Sequence, residues 1–254
     1  MISFVSDLDK TIIYSKNNTE KCVEYKEGKE LTYMTLDAYN NFLELRKSIN
    51  FIPCTLRDYE QTTRISFIKD NMPKFMICDN GASIYIDGRK NEEYNKYIKE
   101  NIVDKKIVKE EIKKIKTIIK QNKIIVKRVR SNDNFFFLII FYNSEYANQR
   151  LNIFKKSASD YFDLHLQGRK LYFMPKKLDK TIALKYLMDK YNLGYVITSG
   201  DSSVDENFVK LGDKIILPKH AVFKNENALL TQNNGIKAGE EIILNIKEEI
   251  KGLG

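Results

Sequence analysis

An α/β fold with an inserted second module is the architecture this sequence predicts, and three observations predict it. Over the first 80 residues, short apolar runs that end in polar side chains alternate with segments of helical spacing. From Pro175 onward the same alternation returns. Between the two, the rhythm changes to long charged helices and strongly apolar strands. A β-α-β-α-β alternation argues for a parallel sheet with helices on its faces.

The elements follow in order. Ile2, Ser3, Phe4 and Val5 read as a short buried strand, and two carboxylates, Asp7 and Asp9, come directly after it. Carboxylates entering an apolar interior must be paired or must hold a cation. At the carboxyl end of a strand in an open α/β sheet they stand where ligands bind. Thr11 and Ile12-Ile13 lead away from that edge. Residues 16–33 are polar and irregular, with Gly28 in a turn and 22–25 and 31–33 as a small hairpin. Thr35 is placed as a helix N-cap, and Leu36, Tyr39, Phe42, Leu43 and Leu45 recur at helical spacing over 36–48. Residues 51–55 form a second strand ending in Thr55-Leu56-Arg57-Asp58, a helix is expected over 59–70, and 75–78 form a third strand closed by Asp79-Asn80-Gly81-Ala82. The three strands end in Asp7, Thr55 and Asn80, so polar groups collect at one edge.

The insert is read over 82–172, which divides the chain into a core of 1–81 with 173–254 and an α+β module. Within it, 96–121 is helix-rich, 123–130 alternates like a strand, 135–141 is apolar enough to be central to a second sheet, 147–158 is helical, and 162–166 and 171–173 are strands. After it, Asp179 caps a helix bearing Ile182, Ala183, Leu184, Leu187 and Met188. Residues 195–199 form a buried strand that ends in Gly200-Asp201-Ser202-Ser203-Val204-Asp205. A further strand covers 214–217, and a short amphipathic helix covers 240–250.

Composition bounds the function. At 254 residues, 43% hydrophobic and 30% charged, the chain can bury a core. No apolar run reaches the roughly 18–20 residues of a membrane helix, and the acidic, strand-like start does not read as a signal peptide. Cys22, Cys54 and Cys78 have no metal-ligand spacing, and a reducing cytoplasm is expected. The net charge of +9 is concentrated between Lys96 and Arg130, which hold 13 Lys/Arg against 4 Asp/Glu. That stretch reads first as a solvated helix face, with anion or nucleic-acid steering as the alternative. His165 and His220 read as surface or packing residues.

Asp7-Leu8-Asp9-Lys10-Thr11, Thr55, Lys180 and Gly200-Asp201-Ser202-Ser203-Val204-Asp205 resemble, in order, the four motifs of phosphatases of the haloacid dehalogenase superfamily. Asp79-Asn80-Gly81-Ala82 resembles the start of the cap in the Cof-like and sucrose-phosphatase-like branch, where a large α/β cap separates the second and third motifs. The resemblance covers nearly the full length. Leu56 stands where many relatives have Gly, and Val204 where many have Asn; neither removes a group the chemistry requires.

The resemblance implies a Rossmann-like parallel-sheet core and a cap that closes over it and selects a small phosphorylated substrate, with no membrane involved. It implies Mg²⁺ held by the Asp7 side chain, the Asp9 backbone carbonyl, Asp201 and Asp205, the last alternatively orienting Lys180. Asp7 would be the nucleophile and Asp9 the acid and base, an acid that superfamily dehalogenases lack. Thr55 would bind the phosphoryl group and Lys180 would neutralise it. Thr11, Arg57 and Asn80 are the candidate substrate contacts, although Asn80 also suits a hinge. Two other readings share the pattern: a phosphotransferase of the phosphomannomutase type, and a basic nucleic-acid-binding protein with a vestigial core.

Overall fold

The computed structural model describes residues 1–15 and 20–253. Residues 16–19, which open the polar stretch expected over 16–33, lie outside the described residues. Strand β1 (Ile2–Ser6) is followed by the hairpin β2 (Lys21–Lys26) and β3 (Lys29–Met34), then by α1 (Leu36–Leu45). The Thr35 side chain caps α1 by accepting from the Ala38 amide. β4 (Asn50–Pro53) pairs in parallel with β1.

A single helix was expected over 59–70. Two short ones form instead, α2 (Tyr59–Thr63) and α3 (Ser66–Lys69). Between them Ile65 is extended and bridges Glu24 of the hairpin, which takes the backbone out of the helical ladder. β5 (Phe75–Cys78) also departs from expectation. It forms an antiparallel ladder with β6 (Ser83–Ile86), extended by β7 (Arg89–Lys90), and is joined to the end of β4 by the parallel bridge Cys54–Ile77. Proline explains this: the Cys54 amide points to β1 and the Thr55 amide to β5, so the missing N–H of Pro53 is one that would have faced β5.

Residues 92–178 form a separate compact unit. It comprises α4 (Glu92–Asn101), α5 (Lys105–Gln121), β8 (Arg128–Asn132), β9 (Phe136–Ile140), α6 (Ser144–Ser157), β10 (Phe162–Gln167) and β11 (Lys170–Pro175). Its antiparallel sheet has the order β10-β11-β9-β8, with the apolar β9 inside it. Phe137 stacks on Phe173 with centroids 4.4 Å apart, and Phe154 of α6 meets Phe173 edge-on. β8 starts five residues later than the alternation from 123 suggests, after Lys123 takes a positive φ of 50°. Lys106, Lys109, Lys113, Lys116 and Lys120 are exposed along α5, away from its buried Val108, Glu111 and Ile115.

The other unit, 1–91 with 179–254, resumes with α7 (Lys180–Lys190), β12 (Tyr195–Ser199), α8 (Glu206–Val209), β13 (Lys214–Leu217), β14 (Ala228–Leu230) and α9 (Ile236–Leu253). β14 is a three-residue edge strand with both leucines exposed, so no burial pattern announced it. α9 is 18 residues long rather than the short 240–250 helix expected.

The parallel sheet runs β14-β13-β12-β1-β4. α1 and α9 bury Phe42, Leu45, Ile242, Ile243 and Ile246 in one cluster with Phe4, Phe51, Ile197 and Ile216 of the strands. The chain leaves β1 for β4 on one side and returns to β12 on the other. The carboxyl end of β1 is therefore a topological switch point, the place where open α/β sheets bind ligands. Among the described residues, no helix is long and apolar enough to cross a membrane.

Candidate active site

Three neighbouring strands end at the switch point, and each delivers a polar residue there: Asp7 after β1, Thr55 after β4 and Asp201 after β12. Parallel pairing holds these ends level, with Ser6 opposite both Pro53 and Ser199. The Asp7 amide donates to the Ser199 carbonyl at 2.9 Å and the Cys54 amide to the Ser6 carbonyl at 2.7 Å.

Lys180 arrives from the first turn of α7, whose N-cap Asp179 accepts from the Thr181 amide. Its ammonium is fully buried and donates to Asp7 Oδ1 at 2.7 Å and to Asp205 Oδ1 at 2.6 Å. The Phe208 ring lies beneath it, 5.2 Å from Nζ to centroid. Asp205 is saturated: its Oδ2 accepts from the Asp201 amide, the Ser202 amide and the Ser202 hydroxyl at 3.2, 2.8 and 2.6 Å. Gly200 is needed for this turn, because a Cβ there would stand 2.5 Å from Asp205 Cβ.

Oxygens of Asp7, Asp201 and Asp205 lie within 4.8 Å of one another. Three buried carboxylates against one buried ammonium leave an excess of negative charge that an apolar site does not tolerate alone. Burial pushes the Asp7 carboxyl well above its ordinary range; Lys180 pulls it down, and Asp205 and Asp201 push it further up. Burial, with Asp205 beside it, pushes Asp201 up to about 7. Burial works against the Lys180 ammonium, but Asp205 and Asp7 outweigh it and keep it charged. A compact set of hard oxygens with surplus negative charge fits a divalent cation such as Mg²⁺, and no imidazole or thiolate in the cluster favours a softer one.

Thr55 is 1% exposed, and its Oγ1 accepts from the Arg57 amide at 3.2 Å, leaving its own proton to donate. Thr11 is buried, with its hydroxyl 3.5 Å from Asp201 Oδ1. Asn80 sits in the tight turn 79–81, where Asp79, Asn80 and Gly81 all have positive φ and the Asn80 amide donates to the Thr55 carbonyl. Gly81 packs against the start of α7, where a Cβ would come 2.7 Å from the Asp179 carbonyl. The turn thus ties the second strand end to the lysine helix.

Asp9 is set apart from the cluster. Its side chain is half exposed and gripped by Arg57, with Nε to Oδ2 at 2.7 Å and Nη2 to Oδ1 at 2.8 Å. Arg57 Nη1 donates to Glu24 Oε2 at 2.9 Å. Sequence reasoning missed Glu24, because a lone acid in a polar hairpin reads as surface. Ser202 lay within a quoted motif but its role was also missed. His220 packs as expected: Nδ1 accepts from the Gly235 amide, which assigns the proton to Nε2, and Nε2 donates to the Lys10 carbonyl at 2.8 Å.

The family model described as sucrose-6F-phosphate phosphohydrolase matches residues 2–220. No curated protein sequence matches the chain. Among solved structures, the sucrose-phosphatase of Synechocystis sp. PCC6803, in complex with sucrose and phosphate, is similar with a TM-score of 0.61 at 14% identity, over 97% of this chain and 98% of that one. A haloacid dehalogenase-like hydrolase from Bacteroides thetaiotaomicron gives 0.61 at 14% identity, over 96% and 98%. TM0651 from Thermotoga maritima gives 0.56 at 18%, over 96% of each chain. The chain belongs to the sucrose-6F-phosphate phosphohydrolase family and is a phosphatase of the haloacid dehalogenase superfamily.

Proposed function

We propose that the chain hydrolyses the phosphomonoester of a small phosphorylated metabolite, a sugar phosphate by analogy with its family, through an aspartyl-phosphate on Asp7 and with Mg²⁺. The observation that carries this reading is the buried Lys180 ammonium held between Asp7 and Asp205 at 2.7 and 2.6 Å within the three-carboxylate cluster. Asp7 and Asp201, with the Asp9 backbone carbonyl, would hold the ion. The saturation of Asp205 supports its role as the holder of Lys180 rather than as a ligand. When bound, Mg²⁺ offsets the repulsion between the Asp7 carboxylate and a dianionic phosphate.

The rest of the reaction falls to the chain's own groups. An Asp7 oxygen attacks phosphorus and the ester P–O bond breaks, which splits one difficult displacement into two. Asp9 gives its proton to the departing alcohol oxygen. It then takes one from the water that attacks the aspartyl-phosphate, so Asp7 and inorganic phosphate are regenerated and Asp9 is protonated again. Lys180 and the Thr55 hydroxyl stabilise charge on the phosphoryl oxygens. Residues 92–178 act as the cap that chooses the substrate.

The test is phosphate release from a panel of sugar phosphates, nucleotides and p-nitrophenyl phosphate, with Mg²⁺ and with EDTA. Metal-dependent release with a preferred sugar phosphate is expected. A folded protein that releases phosphate from no ester would overturn the reading, and retention of the phosphate on a sugar bisphosphate would make the chain a phosphotransferase.

A further inference from the structure

Outside the cluster, Glu24 is a buried carboxylate with both oxygens engaged. It is 1% exposed in β2, a strand that is otherwise polar on its outer face. A register shift in the hairpin on both sides of Glu24 breaks the inside-outside alternation there, and bulges of this kind re-aim a side chain. Oε2 accepts from Arg57 Nη1 at 2.9 Å and from the Thr32 hydroxyl at 3.2 Å; Oε1 accepts from Arg64 Nη2 at 3.0 Å and Nε at 3.2 Å.

Arg57 has its other two nitrogens on the two oxygens of Asp9. Two carboxylates and two guanidiniums therefore alternate in one chain, Asp9–Arg57–Glu24–Arg64, in which only Asp9 reaches substantial solvent exposure. The same hairpin is bonded to the segment after Asp9, since Tyr14 and Tyr33 exchange both backbone hydrogen bonds, at 2.9 and 2.8 Å.

We infer that Glu24 is a positioning residue: it fixes the Arg57 fork, and the fork sets where Asp9 stands for proton transfer. A planar guanidinium held on one side by a buried carboxylate can address the second carboxylate in one orientation only, which a lysine could not impose. The inference rests on the reading of Asp9 as the acid in the Proposed function.

The experiment compares kcat/KM of the full chain on an alkyl phosphate and on p-nitrophenyl phosphate. This parameter reports the steps up to formation of the aspartyl-phosphate. There the alkoxide leaving group needs a proton from Asp9 and the nitrophenolate does not. For Glu24→Gln, alkyl kcat/KM is expected to fall about tenfold, within the range that misplacement of a proton donor causes, and aryl kcat/KM less than about twofold. Glu24→Asp, which keeps the charge but shortens the reach to the Arg57 fork, is expected to give the same split and serves if the first variant is unstable. Equal losses on both substrates, no loss, or a gain on the alkyl ester would each overturn the inference. A wild-type chain inactive on both esters would instead overturn the functional reading beneath it.

Discussion

Two cation–carboxylate networks meet near the end of β1, and they use opposite means. In the Asp7–Lys180–Asp205 cluster a point charge is fully buried between carboxylates that are almost fully buried themselves. In the Asp9–Arg57–Glu24 chain a planar fork, partly shielded, joins one buried carboxylate to one that is half exposed. The difference matches the proposed tasks. A nucleophile and the group that neutralises phosphate must not move or hydrate. A proton carrier must reach solvent and a leaving group while being aimed. Low dielectric strengthens the first network and makes it intolerant of an unmatched charge.

The sharpest way to break the comparison is to remove one member of the buried set. Asp7→Asn keeps the volume and removes the nucleophile, and phosphate release is expected to fall by about 10⁴-fold or more, since a missing nucleophile leaves only binding and charge stabilisation. Residual turnover near wild type would move the covalent step elsewhere. Lys180→Met tests the buried charge itself. It leaves Asp7 and Asp205 facing each other, and a loss of about 3–5 kcal/mol in urea unfolding without metal is expected. A loss under 1 kcal/mol would mean that the cluster is wetter than its burial implies.

The contrast was only partly legible in the sequence. Asp7, Thr55 and Asp201 could be anticipated because each follows an apolar run, and strand ends converge in a parallel sheet; Lys180 was set apart from Lys176, Lys177 and Lys185 by its place before Thr181 and an apolar helix, where it resembles the third motif of the family. Other features depend on contacts between distant segments. The bulge that turns Glu24 inward is set by pairing with β3 and the bridge to Ile65, and no local spacing encodes either. Likewise α2 and α3 carry one continuous helical pattern, and the break falls at Ile65, where the bridge forms. The shortness of the parallel pairing between β4 and β5 follows from Pro53, whose missing donor would have faced β5.

A pH series on metal binding sharpens the comparison further. Without metal, the folded state raises Asp201 to about 7 from an ordinary value near 4. That contribution to stability is present below the ordinary value and is lost as pH rises through about 7. If Asp201 holds Mg²⁺ as proposed, the ion displaces the same proton, and its binding is expected to strengthen as pH rises toward 7. The Mg²⁺-induced rise in Tm is therefore expected to grow by roughly 3 °C per pH unit between pH 5 and 7 at saturating metal. A rise independent of pH would assign the ion to groups other than the buried cluster.

The smallest effect is expected at the outer end of the second network. Glu60 also approaches Arg64, at 3.6 Å one helical turn away, but its side chain is 84% exposed. Arg64 already has Nε and Nη2 on the buried Glu24. An exposed pair gains little Coulomb energy in water and must order a long side chain to do so. Glu60→Ala should change stability by less than about 0.5 kcal/mol in urea unfolding, and it should leave the alkyl-to-aryl ratio of kcat/KM unchanged. A shift in that ratio would mean that orientation is transmitted from the helix surface through Arg64. The burial of Glu24 would then not be what isolates the proton carrier from solvent charge.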